Sequence, residues 1–381
     1  MAAERFDVVV VGVGSMGSMA LWRLARRGLR VLGVEQFEPG HDRGSGHGES
    51  RIIRTAYFEG QEYVPLVRSA FQLWRELESE SGRPLLTMTG ALMIGRPEDE
   101  LVRGVLRSIQ EHGLEHELLD QQEARRRHPQ HRLLPTEVAL FERDAGLLRP
   151  EAAVRAAAER AVELGAQLVT GRRVSGLSFQ EGGVQVDAGG ATYRARRAVV
   201  SPGAWLPRLL PELELPIEIE RQVQVWFPAR RIESFLPEAF PVFMHERDGL
   251  LLYGLPSMDG ATVKVAVHHE GRPADPDRLD REVTEAELDH VSELVGERLE
   301  GLEPVAARAA VCMYSNSPDY RFVVGTHPRA PATIVLGGFS GHGFKFAPVI
   351  GEAAAEWAAT GGTRHPIGRF SPTRFASRPG G

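Results

Sequence analysis

Lysine is almost missing from this chain. Of the 45 basic side chains in 381 residues only two, Lys264 and Lys345, are lysines, and every other one is arginine. A drift toward arginine fills any surface position where a cation of either kind serves. An ammonium is compact and can lose its proton on burial, whereas guanidinium is a rigid fork that stays charged. The two surviving lysines therefore mark candidate ligand-holding or catalytic positions. Cysteine is scarcer still, with Cys312 alone. A single thiol excludes an internal disulfide and a cysteine-based zinc cluster, and fits a reducing compartment. Long apolar runs are also missing: none approaches the roughly 18 residues that a membrane span needs. Nor is there a basic tract interleaved with aromatics, and the net charge is -6, so nucleic acid is not an expected partner. The first apolar run starts at Phe6 and enters a glycine motif at once, leaving no room for a signal peptide. A soluble cytoplasmic protein is expected, long enough for two domains with separate cores.

What is present begins with a strand-like run, Phe6 to Val11, followed by Gly12-Val13-Gly14-Ser15-Met16-Gly17. Met16, Ala20, Leu24 and Ala25 then fall on one helical face, Gly28 closes the helix, and a second run, Val31 to Val34, ends in Glu35. Apolar residues at three- and four-residue steps predict an amphipathic helix over 62–80, and another over 152–164. Alternation broken by Gly182-Gly183 and Gly189-Gly190 predicts an antiparallel meander over 169–193, feeding a buried strand at 198–201. Alternation returns around Val223 to Phe227 and Val263 to Val267. Thr284 with Glu287 forms a capping box for a helix carrying Val291, Leu294 and Val295. A strand at 333–336 runs into the glycine-dense segment 337–343, and Pro348 opens a last helix. The tail from Thr363 reads as extended.

Strand, glycine turn, helix, strand and terminal acid make a βαβ unit that binds a dinucleotide. The glycines allow a tight turn and close approach of a pyrophosphate to the helix N-terminus. Glu35, 18 residues past Gly17, can take a ribose hydroxyl pair. A nicotinamide or a flavin dinucleotide would satisfy this unit equally. Two later returns of the chain, near 198–205 and 333–348, favour flavin. The second offers backbone N–H groups and a positive helix end to an electron-rich pyrimidine edge.

Four segments in order, Gly44–Tyr57 (GSGHGESRIIRTAY), Tyr253–His268 (YGLPSMDGATVKVAVH), Val311–Tyr314 (VCMY) and Gly338–Lys345 (GFSGHGFK), resemble the monomeric sarcosine oxidase and N-methyl-L-tryptophan oxidase family of flavin amine oxidases. The likeness covers nearly the whole chain. It implies a mixed α/β (α+β) fold, with a Rossmann-like FAD-binding domain of glutathione-reductase-type topology and an antiparallel-sheet substrate domain. The FAD-binding domain would take residues 1–85, 145–215 and 310–381, and the substrate domain 86–144 and 216–309. The resemblance further implies oxidation of secondary amino acids to imines, with oxygen reduced to hydrogen peroxide, by a monomer. FAD would be bound covalently through Cys312, with Gly12, Gly14, Ser15, Met16, Gly17, Glu35, Ser45, His47, Ser50, Arg51, Gly203, Trp205, Met313, Gly341, Gly343, Phe344 and Lys345 around it. Arg54 and Lys345 would clamp the substrate carboxylate beside Tyr253 and Met244. Lys264 would face the flavin as the oxygen-activating cation, with His268, Tyr253, Tyr314 and Arg51 completing the catalytic set.

Physical reading of these residues agrees with those roles. A preplaced ammonium stabilises charge that develops as oxygen takes an electron. Period-two geometry puts Lys264 and His268 on one side of a strand and Val263, Val265 and Val267 on the other. An arginine such as Arg54 can bind a carboxylate bidentately. His268 and His269, adjacent on a strand, would point to opposite faces, so no metal site is expected. No GxSxG elbow supports a serine hydrolase. Ser50 and Gly46 depart mildly from the family pattern, and Met258-Asp259 departs in a way that bears on the substrate. Two rival readings remain at the level of sequence: a dehydrogenase of the same fold that passes electrons to a carrier, and a flavin-binding subunit without turnover.

Overall fold

The opening apolar run becomes the strand Arg5–Val11 in the computed structural model, which describes residues 5–180 and 182–375. It lies parallel between Val31–Val34 and Ala191–Val200, and Gln167–Val169 and Ala330–Gly337 extend the parallel sheet on either side. Strands buried on both faces read as continuous apolar runs, which is why four of these were legible; the half-exposed edge strand Gln167–Val169 was not, and its last residue had been expected to start the antiparallel meander. The expected meander is formed by Val174–Gln180, Gly183–Ala188 and the first half of Ala191–Val200, all antiparallel.

Two of the motif glycines are fixed by contact. A side-chain carbon on Gly17 would lie 1.8 Å from the Gly12 carbonyl oxygen, so no other residue lets the helix Ser15–Arg26 start this close to the strand. Gly12 has φ +81°, and a Cβ there would lie 2.4 Å from the Ser201 oxygen. The helix itself departs from a one-faced reading. It is buried from Met16 to Ala25 without a break, because Pro150–Glu163 and Ala347–Thr360 both pack on it. Ion pairs bind the group further: Arg23 to Glu76 at 2.8 Å, and Arg23 and Arg27 to Glu352 at 2.6 and 2.7 Å.

The second sheet has nine strands, mostly antiparallel, running through Glu218–Pro228, Thr262–His268, Leu250–Leu255, Val242–Arg247, Ala91–Gly95, Val138–Glu142 and Glu117–Leu119, with Arg272–Pro273 at its edge. Val263, Val265 and Val267 face a core shared with Val291, Leu294 and Val295 of the helix Glu285–Arg298. That helix starts with the expected capping box. The strand Arg308–Asn316 pairs along its length with Glu218–Pro228. It therefore belongs by hydrogen bonding to this second sheet, and a boundary at 310 cuts it. A third, three-stranded sheet joins Arg51–Ile53, Gly146–Leu148 and Leu86–Met88.

The tail is not extended over 363–375. It makes two short 3-10 turns, Gly368–Phe370 and Pro372–Phe375, and Phe370 is fully buried against Tyr63, ring centroids 5.2 Å apart. The rest of that tail, 376–381, lies outside the described residues. No helix among the described residues is long and apolar enough to cross a membrane.

Candidate active site

A cavity of about 500 Å³ runs from the glycine turn to the second sheet. At one end are Gly12, Gly14, Ser15, Met16 and Glu35, with Ser45, Gly203 and Trp205 along the side. At the other are Arg51, Arg54, Met244, Tyr253 and His268. Cys312, Met313 and Tyr314 come from the strand Arg308–Asn316, and Gly341, Gly343, Phe344 and Lys345 from the glycine-dense turn. Twenty of the sequence-selected residues thus share one wall. Gly17, His47, Ser50 and Lys264 do not line it.

The glycine end fits a dinucleotide. Nothing lies within 4 Å of a Cβ built on Gly14, so the space before the helix is open. The helix has no side-chain cap and no acid in its first turn, which leaves its N–H groups and positive end to an anion. Glu35 is buried, and its Oε2 accepts from the Val13 N–H at 2.6 Å while Oε1 accepts from the Phe37 N–H at 3.0 Å. An uncapped helix, an open glycine and a fixed carboxylate at the strand end are the donor and acceptor set for a pyrophosphate and a ribose. FAD fits this arrangement.

The far end is a cationic pocket walled by aromatic rings. Arg54 is 1% exposed; it donates to the Ala56 carbonyl at 2.6 Å and to Glu59 Oε2 at 2.6 Å, and its guanidinium lies 4.3 Å from the Tyr57 ring centroid. Burial pushes the Glu59 carboxyl up, but Arg54, His342 and Lys345 together outweigh it and hold it below its ordinary value. Lys345 is 6% exposed and donates to the His342 carbonyl at 2.9 Å and to the Tyr57 hydroxyl at 3.3 Å. Burial, with the Arg54 charge nearby, brings its pKa down to about 7. His268 Nδ1 lies 3.3 Å from the Tyr314 hydroxyl, and burial holds His268 well below the usual histidine range, so its ring is neutral.

Lys264, expected to face the flavin, is not among the residues that line the cavity. Its Nζ donates to the Gly48 carbonyl at 2.8 Å and the Ser50 carbonyl at 2.5 Å, and Arg51 donates to the same Ser50 carbonyl at 2.8 Å. Burial first, and the Arg51 charge second, hold its pKa well below the ordinary lysine value. A buried ammonium must find acceptors, and the turn at 48–50 supplies them. Burial likewise pushes the Cys312 thiol up, while Arg51 pulls it down. His47 is lowered to about 4 by burial and then by Arg51.

Two expectations change. His268 and His269 do not diverge: His269 has φ +56°, which ends the strand at His268 and brings the two ring centroids to 4.0 Å. Among the described residues no group of three or more His, Cys, Asp or Glu could hold a metal. Met258 and Asp259 do not line the cavity. They form the turn between two strands, where Asp259 accepts from the Ala261 and Thr262 N–H groups at 2.9 and 2.8 Å. Glu59 and His342 line the cavity without having been singled out. Glu59 carried no signal in its spacing, and His342 lay inside a matched segment without a role.

Comparison with known proteins agrees with this geometry. Residues 7–357 match the family described as FAD dependent oxidoreductase. The monomeric sarcosine oxidase of Streptomyces avermitilis is 44% identical over 379 residues, covering 98% of this chain and 99% of the relative. The N-methyl-L-tryptophan oxidase of Salmonella dublin is 34% identical over 375 residues, covering 98% of this chain and all of the relative. Among solved structures, NikD, an unusual amino acid oxidase essential for nikkomycin biosynthesis, superposes in its open form with a TM-score of 0.86 at 25% identity, covering 97% of this chain and 98% of that one. The match over residues 7–357 and the relatives of 44% and 34% identity, each covered over nearly its whole length, place the chain in the FAD dependent oxidoreductase family, among the relatives of monomeric sarcosine oxidase and N-methyl-L-tryptophan oxidase.

Proposed function

We propose that this chain is a cytoplasmic, monomeric oxidase of N-methyl amino acids such as sarcosine, using FAD bound covalently through Cys312 and oxygen as electron acceptor. The observation that carries this reading is the pair of buried cations, Arg54 and Lys345, at the end of the dinucleotide cavity that also holds Cys312. Bound FAD supplies the two-electron acceptor for the C–N bond and, once reduced, the donor to oxygen. The chain supplies the rest. The backbone around Gly14 and Ser15 holds the pyrophosphate and Glu35 the ribose. Arg54 and Lys345 take the carboxylate and so fix the amine end against the cavity wall. Met244, Tyr253, His268 and Tyr314 exclude water from that end, and His268, neutral, is free to accept a hydrogen bond. Lys264 holds the turn at 48–50 through its two carbonyls and places positive charge next to Arg51.

The units assigned to this work are 1–85, 145–215 and 310–381 for FAD and 86–144 and 216–309 for substrate, with Arg308–Asn316 shared between them. Acid precipitation of the purified yellow protein tests the cofactor part. Colour should stay with the pellet and map to the peptide containing Cys312, and Cys312→Ser should release it; colour in the supernatant of the unaltered protein removes the covalent link. Sarcosine in air should bleach the flavin and yield peroxide. Bleaching with dye reduction but no peroxide would instead make the protein a dehydrogenase.

A further inference from the structure

Lys345 has three N–H bonds when protonated, and the fold accounts for two of them, through the His342 carbonyl and the Tyr57 oxygen. The Tyr57 oxygen is itself held from the other side. Its hydroxyl lies 2.6 Å from His342 Nδ1, much closer than the 3.4 Å to the His342 carbonyl. His342 Nε2 lies 3.0 Å from the backbone carbonyl of Tyr320, which can only accept, so Nε2 carries the ring hydrogen. With the ring neutral, Nδ1 is bare and accepts the Tyr57 O–H. The Tyr57 oxygen then has only lone pairs left to offer, and Lys345 must donate to it. Burial holds His342 down at about 4, which keeps this tautomer in place across the working range. Direction thus passes from the Tyr320 carbonyl through His342 and Tyr57 to Lys345. Tyr57 is fully buried, and its ring also lies under the Arg54 guanidinium, so one side chain sits against both cations of the pocket.

We propose that Tyr57 and His342 are positioning residues of the carboxylate site: they fix the rotation of the Lys345 ammonium so that its third N–H is presented to the substrate carboxylate, and they help keep that ammonium protonated. The inference rests on the reading that Lys345 binds the carboxylate, and extends it to two residues that need not touch substrate. The groups that bear on Lys345 are Arg54 and His268, which oppose its charge or gain nothing from it, Glu59, which favours it, and the Tyr57 and His342 oxygens that accept from it. Removing one acceptor lowers the proton affinity of Lys345, because the charged form loses a hydrogen bond that the neutral form needs less.

The test uses the flavin-loaded protein and propionate, a carboxylate without an amine, with binding read from the change in flavin absorbance between pH 5.5 and 9. The unaltered protein should bind well below about pH 7 and lose affinity above it. Tyr57→Phe should weaken binding about tenfold at pH 6, as loss of a hydrogen bond to a charged group does, and should move the midpoint down by about one pH unit. His342→Leu should do the same. His342→Asn, whose amide oxygen can stand near the place of Nδ1, should restore most of the affinity and return the midpoint. Wild-type affinity and midpoint in both Tyr57→Phe and His342→Leu overturn the inference, provided Lys345→Met has lost binding. Unchanged binding in Lys345→Met overturns the carboxylate reading itself, and the inference with it. A uniform loss at every pH in all three Tyr57 and His342 variants, with no movement of the midpoint and no rescue by asparagine, reduces them to structural residues and also overturns it.

Discussion

At the scale of the residue, the two lysines of this arginine-rich chain share one environment. Both are buried, Lys264 at 2% exposure and Lys345 at 6%, and both are depressed by that burial. Arg54 is buried as deeply, at 1% exposure, but it keeps its charge and pairs with Glu59, whereas a lysine can relieve its charge by losing a proton. The rarity of the lysines and the strand face that Lys264 shares with His268 were legible in the sequence. The acceptors of Lys264 were not, because Gly48 and Ser50 are more than two hundred residues away along the chain. Replacing Lys264 by methionine removes the donor and leaves two buried carbonyls facing a thioether. Stopped-flow mixing should find flavin reduction by sarcosine nearly intact but reoxidation by oxygen slower by roughly two orders of magnitude or more, the size seen when a preorganised charge donor is lost. Unchanged reoxidation would separate Lys264 from oxygen chemistry and leave it a holder of the 48–50 turn.

Loops that carry the site are pinned by elements behind them, and this scale was the least visible beforehand. The segment that follows Arg51–Ile53 delivers Arg54 and Tyr57 to the pocket. From the rear, Glu142 at the end of the strand Val138–Glu142 accepts from the Thr55 N–H at 2.7 Å and the Ala56 N–H at 3.1 Å. No periodicity marks such a residue, since its partners are backbone groups with no identity in the sequence. Burial raises the Glu142 carboxyl to about 7, and the two N–H bonds only partly oppose it. A folded value above the ordinary 4.5 means that the folded protein binds the proton more tightly than the unfolded chain. The stabilisation this brings is complete below about 4.5 and is lost as pH rises through about 7. Between those limits the unaltered protein should lose roughly 3 kcal/mol more than Glu142→Gln. Thermal melts of both across that window check the sign, and parallel curves would place the titration elsewhere.

Across the whole molecule the segment 275–281 crosses from the second sheet to the cofactor side. Asp277 accepts from Arg173 at 2.9 and 3.0 Å and from Trp205 Nε1 at 2.8 Å, and also pairs with Arg208. Arg173, Trp205 and Arg208 all line the cavity, so the segment braces that wall from outside. Exposed ion pairs are each worth about 1 kcal/mol or less, and a network of them somewhat more. Asp277→Ala should accordingly leave the fold intact, raise the rate of protease cleavage near 275–281 a few-fold, and speed FAD loss by a similar factor in a Cys312→Ser background. Equal cleavage and release rates would show that the segment does not act as a brace.

The sequence by itself determined four of the parallel strands, the glycine turn with its reasons, the capping box, the body of the meander and four family segments, because each is written in local periodicity or in residues with restricted conformations. It also determined that Lys264, His268 and the valines between them would part to opposite faces. Only the tertiary structure decided the pairing of Arg308–Asn316 with the second sheet, the left-handed turn at His269 that brings two imidazoles together, and the burial of Phe370 in the tail. It also decided the contacts Arg54–Glu59 and Tyr57–His342–Lys345. Those depend on which buried polar groups find partners once chain segments meet, and that is settled by desolvation and geometry across the fold rather than by any pattern along the chain.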